Sequence, residues 1–140
     1  MKINSDTNLY YLNPTGSTPS IRIDSKLGVL EISGVSAPDD PLSFYGHLYT
    51  LLSKFEEEEL QVIDVKIALK KIIDSQSYLF ILIKRLISFS KAGKQINISW
   101  YYEKNAEEIL LTGKDISQQY NYPFQFKEVF KINYELLKAG

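Results

Sequence analysis

The chain has no cysteine, one histidine (His47), one methionine and one tryptophan in 140 residues. The missing cysteine excludes disulfides, thiolate-ligated zinc, iron–sulfur clusters and a thiol nucleophile, and it fits a reducing compartment. A histidine-based dyad or triad has only His47 to draw on. That residue falls on the polar side of a helical pattern with no recognisable spacing to a nucleophile, which marks it as a surface or rim histidine. Excess charge of one sign is also missing. Sixteen basic residues face seventeen acidic ones, for a net charge of −1, so no overall field gathers phosphate backbones or anionic lipid, and a nucleic-acid partner is not expected. The longest apolar run, Tyr78 to Ile83, falls far short of the about 20 residues that a membrane span needs. The opening MKINSDTNLYYL lacks the basic-then-apolar order of a signal peptide, so a cytoplasmic protein is expected.

Motifs for chemistry are equally scarce. Ser88 and Lys91 stand at an S-x-x-K spacing without the partner motifs of a Ser/Lys acyl enzyme. Asp24, Asp39 and Asp40, or Glu107 and Glu108, offer carboxylates but no EF-hand spacing. The glycines at 28, 34, 93 and 113 read as turn residues at element ends, not as a phosphate cradle. No catalytic set, metal site or cofactor is expected.

What is present is an alternation of strands and helices. At 44% hydrophobic and 24% charged, the chain is long enough to bury one core, and one domain over residues 1–140 is expected. The polar opening and Asn13–Ser20 read as loop. Ile21–Asp24 and Leu30–Ser33 alternate apolar and polar around a Lys26-Leu27-Gly28 turn, which predicts a hairpin, with Gly34 ending its second strand. From Leu42, the residues Tyr45, Leu48, Tyr49, Leu52 and Phe55 recur at spacings of three and four, predicting a helix that stops near Phe55 or Glu56, before further acids oppose the helix dipole. Ile63–Lys70 and Gln95–Glu103 alternate strictly, as strands with one dry and one wet face do. A helix from about Ser75 to Ala92, ended by Gly93, joins them in the order of a right-handed parallel crossover. Pro123–Phe130 reads as a last strand, and residues 132–140 as a short helix or frayed end. The fold class expected is α/β, a mixed β-sheet with helices packed mainly on one face.

The segment KKIIDSQSYLFILIKRL, Lys70 to Leu86, is the most informative. Steps of four and three from Ser77 reach Ile81, Lys84, Ser88 and Lys91, a stripe that is polar except in its first turn. If Lys84, Ser88 and Lys91 face water, Ile81 and part of Phe80 lie near solvent beside Ser75 and Ser77. Either a neighbouring loop covers them or they form a partner-binding patch at a helix N-terminus, where a phosphorylated serine would meet free N–H groups. Asp74 is itself a good N-cap and would compete for those donors. In Trp100-Tyr101-Tyr102 the alternation turns Trp100 and Tyr102 to the apolar face and leaves Tyr101 as the exposed aromatic.

The blocks STPSIRID, LGVLEISGVSAPDDPLSFYGHL, GKQINISWYYE and YPFQF, in this order and spacing across Thr18 to Phe126, resemble the SiaC-type regulatory phosphoproteins. The matching motifs are Thr18-Pro19, the glycine-bounded strand Gly28 to Gly34, Ser36 with Pro38-Asp39, Phe44-Tyr45 and Trp100-Tyr101-Tyr102. The resemblance implies a non-enzymatic α/β protein with a fold like that of the anti-sigma-factor antagonists (STAS-like), acting in a partner switch. It implies phosphorylation by a dedicated Ser/Thr kinase, removal of the phosphate by a metal-dependent Ser/Thr phosphatase, and binding of a diguanylate cyclase, with consequences for cyclic-di-GMP signalling and biofilm. The family carries Asn-Thr-Ser-Ser at the strand-to-helix junction, the threonine accepting the phosphate. This chain has Ile73 in place of that threonine, followed by Asp74 and Ser75, so the acceptor is not carried over.

The phosphoacceptor candidates are Ser75 and Ser77. Asp74 is a candidate permanent mimic or helix cap, and Phe80, Ile81, Lys84 and Tyr101 are partner-binding candidates. Constitutive binding without phosphate, a homodimer formed through the sheet, and a small-ligand module using Tyr101 and the polar face are the alternatives.

Overall fold

The computed structural model describes the backbone of residues 2–4 and all of residues 8–132. Seven strands form one sheet in chain order: β1 (Lys2–Asn4), β2 (Leu9–Leu12), β3 (Ser20–Asp24), β4 (Val29–Ser36), β5 (Val62–Ile72), β6 (Gln95–Glu103) and β7 (Gln125–Val129). The first four pair antiparallel and the last four parallel. The helices α1 (Pro41–Leu51), α3 (Gln76–Ser88) and α4 (Glu107–Gln119) each cross between parallel neighbours, and a single turn, α2 (Lys54–Glu57), follows α1. Because β4, β5, β6 and β7 advance in one direction, crossovers of one hand place all the connecting helices on one face. α1 touches α3, and α3 touches α4. The mixed sheet with helices on one face is therefore as expected.

Alternation explains the core. Ile21 and Ile23, Leu30 and Ile32, Ile63, Val65 and Ile67, and Ile96, Ile98 and Trp100 all face the helices and are buried. They meet Leu48, Leu52 and Phe55 from the α1–α2 region, Leu79, Leu82, Ile83 and Leu86 from α3, and Ile109 and Ile116 from α4. The hairpin, the β5 and β6 strands and the parallel crossover stand where the periodicity put them.

Several boundaries differ, each for a local reason. α1 ends at Leu51 instead of running to Phe55, because the backbone changes there from i−4 to i−3 bonds: the Leu52 N–H divides between Leu48 O and Tyr49 O, and the Ser53 N–H donates to Thr50 O. Gly34 does not end β4. At φ 124° it stands where the β4–β5 register slips, Lys70 of β5 being the extra residue, and β4 continues to Ser36. The helix expected over Ser75–Ala92 is α3 followed by a 3₁₀ turn, Phe89–Ala92, closed by Gly93 at φ 89°.

β1, β2 and α4 were not foreseen in the sequence, which reads the polar opening as loop. Leu9–Leu12 shows no alternation, and α4 has a glycine at its centre. Gly113 is no turn residue: a Cβ there would meet the Trp100 indole at 2.6 Å, and the indole Nε1 donates to Ile109 O at 3.0 Å. β7 is two residues shorter at its start than the Pro123–Phe130 reading. Most of the tail expected over residues 132–140 lies outside the described residues.

Candidate functional site

The carboxyl ends of β4 and β5 and the starts of α1 and α3 converge on three hydroxyls. Ser36 closes β4. Its carbonyl accepts the Ile73 N–H at 2.8 Å and the Ser75 hydroxyl at 2.9 Å, which uses both oxygen lone pairs. Its own hydroxyl lies 2.7 Å from Ser75 Oγ and 2.5 Å from Tyr45 Oη. Each hydroxyl owns one proton, so counting protons fixes the direction. Ser75 donates to the Ser36 carbonyl, Ser36 Oγ donates to Ser75, and Tyr45 donates to Ser36 Oγ. Ser36 and Ser75 are fully buried and Tyr45 is 2% exposed. Burial pushes the Tyr45 phenol up to about 12. This relay ties β4, α1 and the β5–α3 junction together.

The two serine candidates thus sit in opposite environments. Ser75 is the N-cap of α3, but its hydroxyl serves Ser36 and makes no capping bond. Ser77, one residue into the helix, is exposed. Asp74 is not the cap: it precedes Ser75, exposed and in the left-handed region at φ 54°. Among the described residues no side chain caps α3, which leaves the first N–H groups of the helix to solvent or to an anion.

Ile81 is 54% exposed and Lys84 is exposed one turn further on, as the stripe requires. Phe80 is half-buried, edge-on to Tyr120, whose hydroxyl donates to Phe80 O. Ile81 lines a groove of about 220 Å³ between α1 and α3 with Leu42, Tyr45, Gly46, Tyr49 and Tyr78. Tyr45 therefore belongs to two regions, its hydroxyl to the relay and its ring to the groove, where it stacks near Tyr78 at 6.4 Å. Leu42, Gly46 and Tyr49 were not singled out in the sequence. The apolar periodicity put Leu42 and Tyr49 on one helical face with Tyr45, Leu48, Leu52 and Phe55, and of these Leu42 and Tyr49 are exposed.

Tyr101 is not exposed and is not part of this surface. It lies on the opposite face of the sheet, 9% exposed, packed with Ala68, Val129 and Ile132, and Lys127 Nζ sits over its ring at 5.4 Å. The chain after β7 returns across that face and covers the ring, an event that strand alternation alone cannot foretell. The small-ligand reading loses its aromatic platform there. His47 is half-buried, with its ring 5.9 Å from that of Tyr10, at the edge of a separate apolar cavity of about 410 Å³ between β2, β3 and α1. Among the described residues, no group of three or more His, Asp or Glu is placed to hold a metal ion, and no helix is long and apolar enough to cross a membrane.

Comparison with known proteins agrees with this architecture. A curated relative, an uncharacterised protein of Pseudomonas aeruginosa strain UCBPP-PA14, is 21% identical over 111 residues, 79% of this chain and 88% of its own length. SiaC of Pseudomonas aeruginosa superposes with a TM-score of 0.76 at 18% identity over 86% of this chain and 98% of its own. The SiaC structure solved in complex with the diguanylate cyclase SiaD, which it activates, gives a TM-score of 0.77 at 18% identity, covering 86% and 99%. At such identities the superpositions establish the fold. The model of the SiaC family of regulatory phosphoproteins matches residues 12–129, nearly the whole span from β2 to β7, and by that match the chain belongs to the SiaC family.

Proposed function

We propose that the chain is a non-enzymatic adaptor of a cytoplasmic partner switch. It binds a diguanylate cyclase, or an output protein of that kind, through the surface formed by α1 and the first turns of α3. A Ser/Thr kinase adds a phosphate beside that surface and a metal-dependent Ser/Thr phosphatase removes it. The observation that carries the reading is apolar side chains left in water around one serine-bearing helix start: Leu42 at 66%, Ile81 at 54% and Ile73 at 50% exposure. Apolar residues gathered on one surface in this way mark interaction sites. Membership of a family of regulatory phosphoproteins and the solved complex of SiaC with SiaD support the same reading.

Accessibility favours Ser77 over Ser75 as the acceptor. Ser75 is fully buried and its Oγ is engaged with both oxygens of Ser36, so a kinase reaches it only after the junction opens. A phosphate on Ser77 sits in the first turn of α3, where the helix dipole favours negative charge and N–H donors are free. It also lies one turn from Ile81, at the lip of the groove.

The test is phosphopeptide mapping of the chain recovered from its own cells, together with titration of a purified diguanylate cyclase from the same cells. Phosphate on Ser77, and binding weakened at least tenfold by Ile81→Asp, is the expected result. Phosphate confined to Ser75 would move the acceptor. A phosphate-free chain that still binds would make the adaptor constitutive, and undiminished binding by Ile81→Asp would remove the surface.

A further inference from the structure

Among the described residues, nothing requires Gly46 to be glycine. It stands in the middle of α1 with helical φ, and a Cβ built on it meets no described atom within 4 Å beyond its own stretch of helix. Glycine in a helix interior is destabilising relative to alanine, so the fold itself is worse for having it. Its neighbours on the same stripe are Leu42, four residues before, and Tyr49, three after, at 66% and 40% exposure. Together with Ile81 and Tyr78 of α3 they line the groove, with Gly46 beside them. A glycine flanked by exposed apolar side chains is what close approach of a second backbone requires.

We infer that the α1–α3 groove receives an amphipathic helix of a partner protein, with its backbone crossing α1 at Gly46. The apolar stripe of that helix inserts among Leu42, Tyr49, Tyr78 and Ile81, the helix-in-groove mode of recognition. Charge sets the polarity of the occupant. α1 and α3 both connect parallel strands and run in the same direction, so their starts lie at one end of the groove. The residues flanking those starts include the exposed carboxylates Asp39, Asp40 and Asp74, against one exposed lysine, Lys71. The partner helix therefore carries basic residues at the end that meets them. This inference rests on the adaptor reading and specifies the shape and charge of its partner.

The experiment combines Gly46→Ala with a photoreactive p-benzoylphenylalanine at position 49, read in the cells that make the protein, and at position 66 on the opposite face as a control. Gly46→Ala raises the Tm of the purified chain by about 3 °C and cuts the position-49 crosslink at least tenfold. The crosslinked peptide maps to an amphipathic helical segment of another protein, with basic residues at one end. A Tm that stays level or falls would give Gly46 an internal role and overturn the inference. An undiminished crosslink in Gly46→Ala would do so as well, as would a crosslink to a second copy or to residues 1–7 or 133–140 of the same chain. Loss of binding in Ile81→Asp with none in Gly46→Ala leaves the adaptor reading standing and removes only the helix crossing.

Discussion

The hydroxyl relay beneath α1 and the groove above it are separated by the thickness of one ring, that of Tyr45, yet they follow opposite rules. In the relay every proton has an acceptor and every side chain is sealed from water. In the groove Leu42, Tyr49 and Ile81 stand exposed, and Gly46 leaves space unfilled. A sealed polar network is costly to disturb, because a buried group that loses its partner is not compensated by water. An open apolar groove tolerates change in the isolated chain and registers it only when a partner arrives. Stability and recognition are thus assigned to adjacent layers, and the two serines of the α3 start fall one in each.

The sharpest way to break this comparison is to place the same charge in both layers. Ser75→Glu brings an unpaired carboxylate into a site with no exposed surface and is expected to cost about 3–5 kcal/mol, seen as a large drop in the urea midpoint. Ser75→Glu is therefore a destabilised protein before it is a phosphate mimic, and an unchanged midpoint would show that the relay is not sealed.

The next largest effect is alkaline. The Tyr45 phenol is raised from 10.0 to about 12 in the folded chain. Its contribution is complete below pH 10 and is lost as pH climbs toward 12, because the unfolded phenol ionises first. A two-unit shift corresponds to about 3 kcal/mol. Urea midpoints measured across that window should fall steeply for the wild type and less for Tyr45→Phe. Burial also raises Tyr10 and Tyr120, so part of the slope persists in the variant. Parallel slopes would mean that Tyr45 titrates as an exposed phenol.

The smallest effect belongs to the open layer. Ser77→Glu adds charge at an exposed first-turn position, where the dipole favours it, and should change stability by no more than about 0.5 kcal/mol, with an unchanged circular dichroism spectrum. A cost approaching that of Ser75→Glu would put Ser77 inside the sealed layer and erase the distinction.

Local pattern alone was sufficient for the strands Ile63–Lys70 and Gln95–Glu103, the hairpin before them, the helix closed by Gly93 and the stripe that leaves Ile81 and Lys84 in water. Each depends on a period of two or of about 3.6, which neighbouring residues determine among themselves. The order of the motif blocks also determined the family. Tertiary structure decided the rest. Ser75 and Ser77 are two residues apart in one polar stretch, and nothing local separates them. Ser75 is buried because the β4–β5 register brings Ser36 against it from 39 positions away. Tyr101 alternates outward as predicted and is then covered by the chain returning to Ile132. Gly113 and Gly46 are both mid-helix glycines, yet one is held against the Trp100 indole and the other faces open space. Periodicity states which way a side chain points; only the packed chain states what it meets there, because those partners are brought in by sheet pairing and helix docking across long sequence separations.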